Sequence, residues 1–277
     1  MTGRQQQWRE RYGPWAVISG ASQGIGEAYA GYLAAAGFNL VLIARRQQQL
    51  EQLAARLRQQ HSIDTQVISA DLQQSAALDE VMAQTADLDV GLWIANAGFG
   101  TSGALVDNPL EQELSLLDVN CRALLTLTHH FARRFVSRGR GGIILLSSLL
   151  GFQGTPGSAN YAASKAYVQA LAEALRIELR PRGVDVLAVA PGPVRTGFAE
   201  RADLKVAMAA KPEVVPPASM KALGRKATVR PGWLAKVLEG SLKLPRAARV
   251  RIIGLVMSSM TAHQPSSEQP DQAERSG

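Results

Sequence analysis

The chain holds 277 residues, 46% of them hydrophobic, with 30 Lys and Arg against 23 Asp and Glu for a formal net charge of +7. That length and apolar content support one or two domains burying roughly 75% of the unfolded surface, which excludes a disordered, collagenous or disulfide-stapled small chain. The single cysteine, Cys121, excludes an internal disulfide, and no apolar run approaches the ~18 residues of a membrane-spanning helix. Met1 to Glu10 is polar and Gln-rich without the apolar centre of a secretory leader, so a reducing, cytoplasmic setting is expected.

Trp15 to Ser19 is a short apolar run ending at Gly20, and Glu27 to Ala36 follows as a helix of small residues closed by Gly37. The pattern repeats with a strand over Asn39 to Ala44, a helix over Gln47 to Gln60 and a strand over Thr65 to Ala70. Further strands are predicted at Val90 to Ala95, Gly142 to Ser147 and Val184 to Ala190, each apolar through its middle as in parallel strands covered on both faces. Long helical patterns, Leu110 to Ser137 and Tyr161 to Arg180, lie between them. Alternation of this kind predicts an α/β, doubly wound, mostly parallel sheet with helices on both faces. From Gly197 the rhythm fails. Pro212, Pro216 and Pro217 interrupt the segment to Arg225, Thr228 to Pro231 is a last short strand, and Trp233 to Thr261 reads as helix with a break at Pro245. Seven strands are thus expected in one catalytic domain spanning 1–261, with a substrate lid at 197–226, a helical extension at 232–261 and a disordered tail at 262–277.

The turn Gly20-Ala-Ser-Gln-Gly24-Ile-Gly26 leaves the first strand and opens a helix. Glycines there allow positive φ, close approach to a pyrophosphate and tight helix packing, with the phosphate resting on the helix N-terminus. The spacing departs from G-x-G-x-x-G, and a glycine turn also occurs without a ligand, but its place in a strand-turn-helix unit points to a dinucleotide. At the end of the second strand, where a free ribose 2′-hydroxyl calls for a carboxylate, stand Arg45 and Arg46. Two guanidiniums suit a 2′-phosphate, so NADP(H) is expected with Arg45 as the main discriminator; two solvated helix-start arginines are the alternative. Tyr161 and Lys165 share a helix face, where an ammonium favours the phenolate, and Ser147 and Ser148 end the fifth strand where the crevice of such a sheet opens.

Together, Gly20 to Gly26, Asn96-Ala-Gly98, Ser148, Tyr161-Ala-Ala-Ser-Lys165 and Pro191-Gly-Pro-Val-Arg-Thr196 resemble the short-chain dehydrogenase/reductase family over about residues 14–196. The resemblance implies a Rossmann-type fold and an enzyme that interconverts a ketone or aldehyde and an alcohol. It implies Tyr161 as acid/base and Ser148 as hydrogen-bond donor to the carbonyl oxygen. Lys165 would hold the ribose while lowering the tyrosine pKa, and Asn120 would kink its helix to hold a relay water. Cofactor contacts follow at Gly20, Ser22, Gln23, Gly24, Ile25 and Gly26, at Arg45 and Arg46, and at Tyr161 and Lys165. Asp71 and Leu72 would meet the adenine, Asn96, Ala97 and Gly98 form a turn on the cofactor, and Pro191, Gly192, Val194 and Thr196 hold the nicotinamide amide. Gln23 stands where NADP-preferring members often carry a basic residue, which leaves the phosphate to the two arginines. A homodimer or homotetramer through the two long helices is implied as well.

His61, His129, His130 and His263 show no metal spacing, and no metal is expected. A lid holding Phe198, Leu204, Val206, Met208 and Met220 suits a lipophilic substrate, and Lys221 to Gly232 weakly resembles 3-oxoacyl and 17β-hydroxysteroid reductases, leaving acyl thioesters, steroids and other carbonyls open. A catalytically silent NADP-binding sensor or scaffold is the alternative class; no nucleic-acid-binding motif accompanies the basic charge. Lys205 to Arg251 carries eleven Lys and Arg against Glu213 and Glu239, a net of +9 that leaves −2 for the rest of the chain. These cations are either solvated helix faces or receive an anionic carrier or lipid surface, beside the apolar Ile252 to Met260.

Overall fold

Apolar runs buried on both faces become the strands of a single parallel sheet in the computed structural model, which describes residues 3–205, 208–232, 235, 240 and 244–262. The strands are β1 (Trp15–Ser19), β2 (Asn39–Ala44), β3 (Thr65–Ser69), β4 (Val90–Ala95), β5 (Gly141–Leu146), β6 (Val184–Val189) and β7 (Thr228–Val229). Their order is β3-β2-β1-β4-β5-β6-β7, and every pairing is parallel. The chain therefore turns from one half of the sheet to the other between β1 and β4, and a crevice opens beyond the carboxyl ends of those strands.

Period-two alternation divides the core between the faces. Ile18, Leu40, Leu42, Leu92 and Ile94 pack with Tyr29 and Leu33 of α2 (Gly24–Ala35) and with Leu50 and Leu53 of α3 (Gln47–His61). Their neighbours Val17, Val41, Ile43 and Trp93 point the other way, to Val81 of α4 (Ser75–Gln84), Phe131 and Phe135 of α6 (Leu124–Arg138) and Val168 of α7 (Ala159–Leu179). Trp93 stacks on Phe131 with ring centroids 5.0 Å apart, and its buried indole N–H donates to Thr128 Oγ1 at 3.1 Å.

Three segments differ from the sequence expectation. The polar N-terminus forms α1 (Gly3–Tyr12), anchored at one end: Tyr12 is buried, and its hydroxyl and Arg11 Nε each donate to Asp185 Oδ2 of β6 at 2.7 Å. Pro216 and Pro217 do not break the chain. They fall in the first turn of α9 (Val215–Ala222), where a missing N–H costs nothing. The predicted helix Leu110 to Ser137 is α5 (Leu110–Leu117) and α6 joined by a π-helical segment, Asp118–Ala123, whose wider turn carries Asn120.

Residues 215–222, expected as lid, pack into the core instead. Val215, Ser219 and Met220 are buried, and Ser219 Oγ accepts from Tyr29 OH at 2.7 Å. After a short α8 (Phe198–Arg201), the last helix is α10 (Arg246–Thr261), which begins directly after Pro245. The expected tail and most of Trp233 to Lys243 lie outside the described residues.

Candidate active site

The carboxyl ends of β1 and β4 are stapled by one asparagine. Asn96 Nδ2 donates to the carbonyls of Ser19 and Gly20 at 3.0 and 3.1 Å, while Ser19 Oγ accepts from the N–H groups of Asn96 and Ala97 at 3.1 and 3.0 Å. This holds the glycine turn open. Gly20 and Gly24 sit at φ +67° and +59°, a region glycine enters freely. A Cβ on Gly26 would stand 2.1 Å from the Gly20 carbonyl oxygen, so α2 packs against the turn as only glycine permits. Gln23 precedes α2 without capping it through its side chain, which leaves first-turn N–H groups for an anion.

Arg45 and Arg46 follow β2 on the rim. Arg46 Nη2 donates to Gln23 Oε1 at 2.5 Å and Ser22 Oγ at 3.3 Å, so this guanidinium leans over the glycine turn. Arg45 lines the same cavity, as do Asp71 and Leu72 after the neighbouring strand β3. Arg201 of α8 joins them, a residue that sequence reading misses because a lid arginine looks like any solvated charge. Its guanidinium lies 3.7 Å from the centre of the Phe99 ring, and its pKa is lowered by desolvation and by Arg45, against an opposite pull from Asp71.

Asn120 is fully buried and ties the π-helical turn to the loop after β4. Its Oδ1 accepts from Phe99 N–H at 3.1 Å, and its Nδ2 donates to Phe99 O at 2.9 Å and to Ser164 Oγ at 3.0 Å. A Cβ on Gly98 would crowd Asn120 Oδ1 at 2.8 Å and Lys165 Nζ at 3.3 Å, so the three converge on one point.

Tyr161 and Lys165 lie on the buried stripe of α7 with Ala162, Val168 and Ala172. The Tyr161 phenol is hydrogen-bonded to Ser148, and burial pushes its pKa up to about 12. Lys165 Nζ donates to the Leu146 carbonyl at 2.8 Å and stands 5.8 Å from the centre of the Tyr161 ring. With the chain's own groups alone, burial raises the phenol by more than the Ser148 hydrogen bond lowers it, so the shift is upward where a lowering was expected. Burial also draws Lys165 down to about 8. Ser147, adjacent to Ser148, ties the end of β5 to α7, since its Oγ donates to the Lys165 carbonyl at 2.8 Å.

One cavity of 860 Å³ runs from the glycine turn to α10. Its wall includes every expected cofactor residue except Gly24 and Gly26, which are packed against Thr196 and the Gly20 carbonyl, and it includes Ser148, Tyr161 and Lys165. The Pro191 carbonyl is fixed by Leu149 N–H at 3.1 Å, which joins the Pro191 to Thr196 turn to the end of β5. A floor of glycines, an uncapped helix start and basic groups at one rim fit an elongated diphosphate dinucleotide.

The apolar wall beyond Tyr161 comes from Phe198 and Leu204, from Leu149 and Leu150, and from Ile252, Ile253, Val256, Met257 and Met260 of α10. Of the apolar α10 stretch, Ile252, Ile253, Val256, Met257 and Met260 line the cavity, while Leu255 is exposed on the outside. Met208 is exposed outside this wall, and Val206 lies outside the described residues.

Burying Lys165 costs stability. Its depression from 10.5 to about 8 corresponds to about 3 kcal/mol at neutral pH, and removing the side chain would leave the Leu146 carbonyl without its donor at a cost of about 1 kcal/mol. Lys165→Met is therefore expected to stabilise the protein without cofactor by about 2 kcal/mol at pH 7. Below pH 8 the penalty is fully present; from 8 to 10.5 the folded protein sheds the proton first, and the wild type catches up. Denaturant melts at pH 7 and pH 10 check this, and a less stable variant at pH 7 would refute it.

Among the described residues no group of three or more His, Cys, Asp and Glu is arranged to hold a metal, and no helix is long and apolar enough to cross a membrane. The family model for short chain dehydrogenase matches residues 14–206. A 7β-hydroxysteroid dehydrogenase of Collinsella aerofaciens is 35% identical over 188 residues, 68% of this chain and 72% of the relative. A very-long-chain 3-oxoacyl-CoA reductase of Podospora anserina is 39% identical over 179 residues, 63% of this chain and 53% of the relative. Among solved structures, a short-chain dehydrogenase from Sphingobium yanoikuyae in complex with NADPH superposes with a TM-score of 0.75 at 31% identity, covering 94% of this chain and 99% of that one. With a family match over most of the sheet and the glycine turn, tyrosine and lysine on one cavity, this chain belongs to the short-chain dehydrogenase/reductase family of NAD(P)-dependent oxidoreductases.

Proposed function

We propose that the protein is an NADP(H)-dependent reductase of a lipophilic ketone or aldehyde, working with the corresponding alcohol in reverse. The observation that carries this reading is the continuity of the cavity, which has Arg45, Arg46 and the glycine turn at one end, Ser148, Tyr161 and Lys165 in the middle and an apolar wall beyond. A reduced dinucleotide held by its diphosphate on the glycine turn, with its nicotinamide between Pro191–Thr196 and Tyr161, would supply a hydride to the carbonyl carbon. Ser148 and Tyr161 receive the carbonyl oxygen, and the Tyr161 hydroxyl passes its proton to that oxygen as negative charge develops. Lys165 then stabilises the phenolate, which its ammonium does best below pH 8. Asn120 holds the loop and the π-helical turn behind Lys165, where a water can return the proton.

Selectivity for NADP(H) rests on the two exposed arginines with no carboxylate after β2, and the likeness to an NADPH-bound dehydrogenase supports it. The names of the relatives, a hydroxysteroid dehydrogenase and an oxoacyl-CoA reductase, agree with a bulky or long apolar substrate. The test is NADPH oxidation with medium-chain aldehydes, steroid ketones and 3-oxoacyl thioesters. Turnover is expected for the larger ketones. NADPH binding without turnover of any member would favour a silent sensor instead.

The protein is also expected to form a homo-oligomer. Leu110, Leu114 and Leu117 of α5, Leu125 of α6, and Tyr167 and Ile177 of α7 are all exposed, an apolar set on the helices the family uses for assembly. Light scattering should give at least a dimer, and a monomer at micromolar concentration would refute this.

A further inference from the structure

In the part of the wall formed by the loop after Ser148 and by α10, two polar side chains stand among apolar ones, Gln153 and Arg249. Arg249 lies in the first turn of α10, where the helix dipole also favours an anion. Its Nη1 donates to the Phe152 carbonyl at 3.3 Å, which fixes the side chain against the loop after Ser148. Its Nε is buried and has no hydrogen-bond partner among the described residues, and the same holds for Gln153 Oε1. Among the described residues no carboxylate pairs with Arg249, although Glu200 also lines the cavity. A buried donor on a cation and a buried acceptor beside it, each without a partner, are costly to fold unless a ligand completes them.

We infer that Arg249 and Gln153 form a polar subsite for an anionic group carried by the carbonyl substrate, with Arg249 as the anion's partner and Gln153 accepting from a hydroxyl or amide N–H nearby. The inference rests on the reductase reading for the place of the carbonyl and deepens it by naming the substrate class. The substrate is amphipathic, with an apolar body along Ile252, Val256 and Met257 and a carboxylate or phosphate at the first turn of α10. The +9 segment from Lys205 to Arg251 thereby acquires one cation with a defined partner.

The test compares kcat/KM for two matched pairs: a long-chain keto acid with its methyl ester, and a 3-oxoacyl-CoA with its neutral N-acetylcysteamine thioester. The wild type is expected to prefer the anionic member of one pair by about tenfold or more, and the pair that shows the preference tells carboxylate from carrier phosphate. Arg249→Gln should remove that preference through KM, leaving the neutral member within about twofold, and Arg249→Lys should restore most of it. Calorimetric titration of the NADP-loaded protein with the keto acid and with CoA supplies a readout apart from turnover. Anion binding weakened about tenfold by Arg249→Gln, with no turnover of any pair, would keep the subsite and sink the reductase reading. Turnover with no preference in either pair, or equal losses on both members in Arg249→Gln, would sink the subsite and leave the reductase standing.

Discussion

Tyr161→Phe is expected to lower kcat for carbonyl reduction by about a thousandfold or more while changing the NADPH dissociation constant by less than about threefold. A positioned acid or base commonly supplies about 10²- to 10⁴-fold, and phenylalanine keeps the ring's packing against Phe198, 5.1 Å away, while deleting the phenolic proton. Its pKa of about 12 keeps the phenol protonated throughout the neutral range, so proton donation in reduction is already poised. Alcohol oxidation needs the phenolate. Its rate should therefore rise with pH across the neutral range while reduction stays flat, until Lys165 begins to lose its proton near pH 8. Steady-state kinetics in both directions, beside an equilibrium NADPH titration, separate these effects. Near-full turnover in Tyr161→Phe would overturn the proposed chemistry.

The double variant Arg45→Ala/Arg46→Ala is expected to raise KM for NADPH about a hundredfold and to leave KM for NADH within about threefold. Hydrogen bonds to a charged group contribute about 1.5 kcal/mol each at the low end appropriate to exposed arginines, and two of them amount to about 3 kcal/mol. On the proposed NADP(H) reading both arginines are expected to contribute. Arg46 already reaches Ser22 and Gln23 over the glycine turn, while Arg45 faces the cavity near Arg201, so each single variant should cost about tenfold. The effect should shrink with added salt because both side chains are exposed. Equal or tighter binding of NADH by the wild type would overturn the assignment.

Strands with uninterrupted apolar centres, Val90–Ala95 above all, are legible because a parallel strand must be apolar on both faces whatever its neighbours do. The N-terminal helix is not legible. Its contribution is one end, Arg11 and Tyr12 on Asp185, and nothing in a Gln-rich stretch announces a partner 173 residues away. The run Pro216-Pro217 looks like a break because proline disrupts helix interiors, yet at a helix start it does no harm, and only packing of Ser219 on Tyr29 reveals which case applies.

Local sequence patterns identified the family and the parallel sheet and named the candidate reacting groups. Short local patterns carry these: glycines that must take positive φ, a tyrosine and lysine one helical turn apart, and arginines directly after a strand. Tertiary structure alone decided which apolar segment walls the cavity, which half of the expected lid belongs to the core, and which of eleven clustered cations faces the cavity beside Gln153. It also decided the sign of the phenol's shift, because only burial in the fold makes desolvation exceed the opposing hydrogen bond to Ser148.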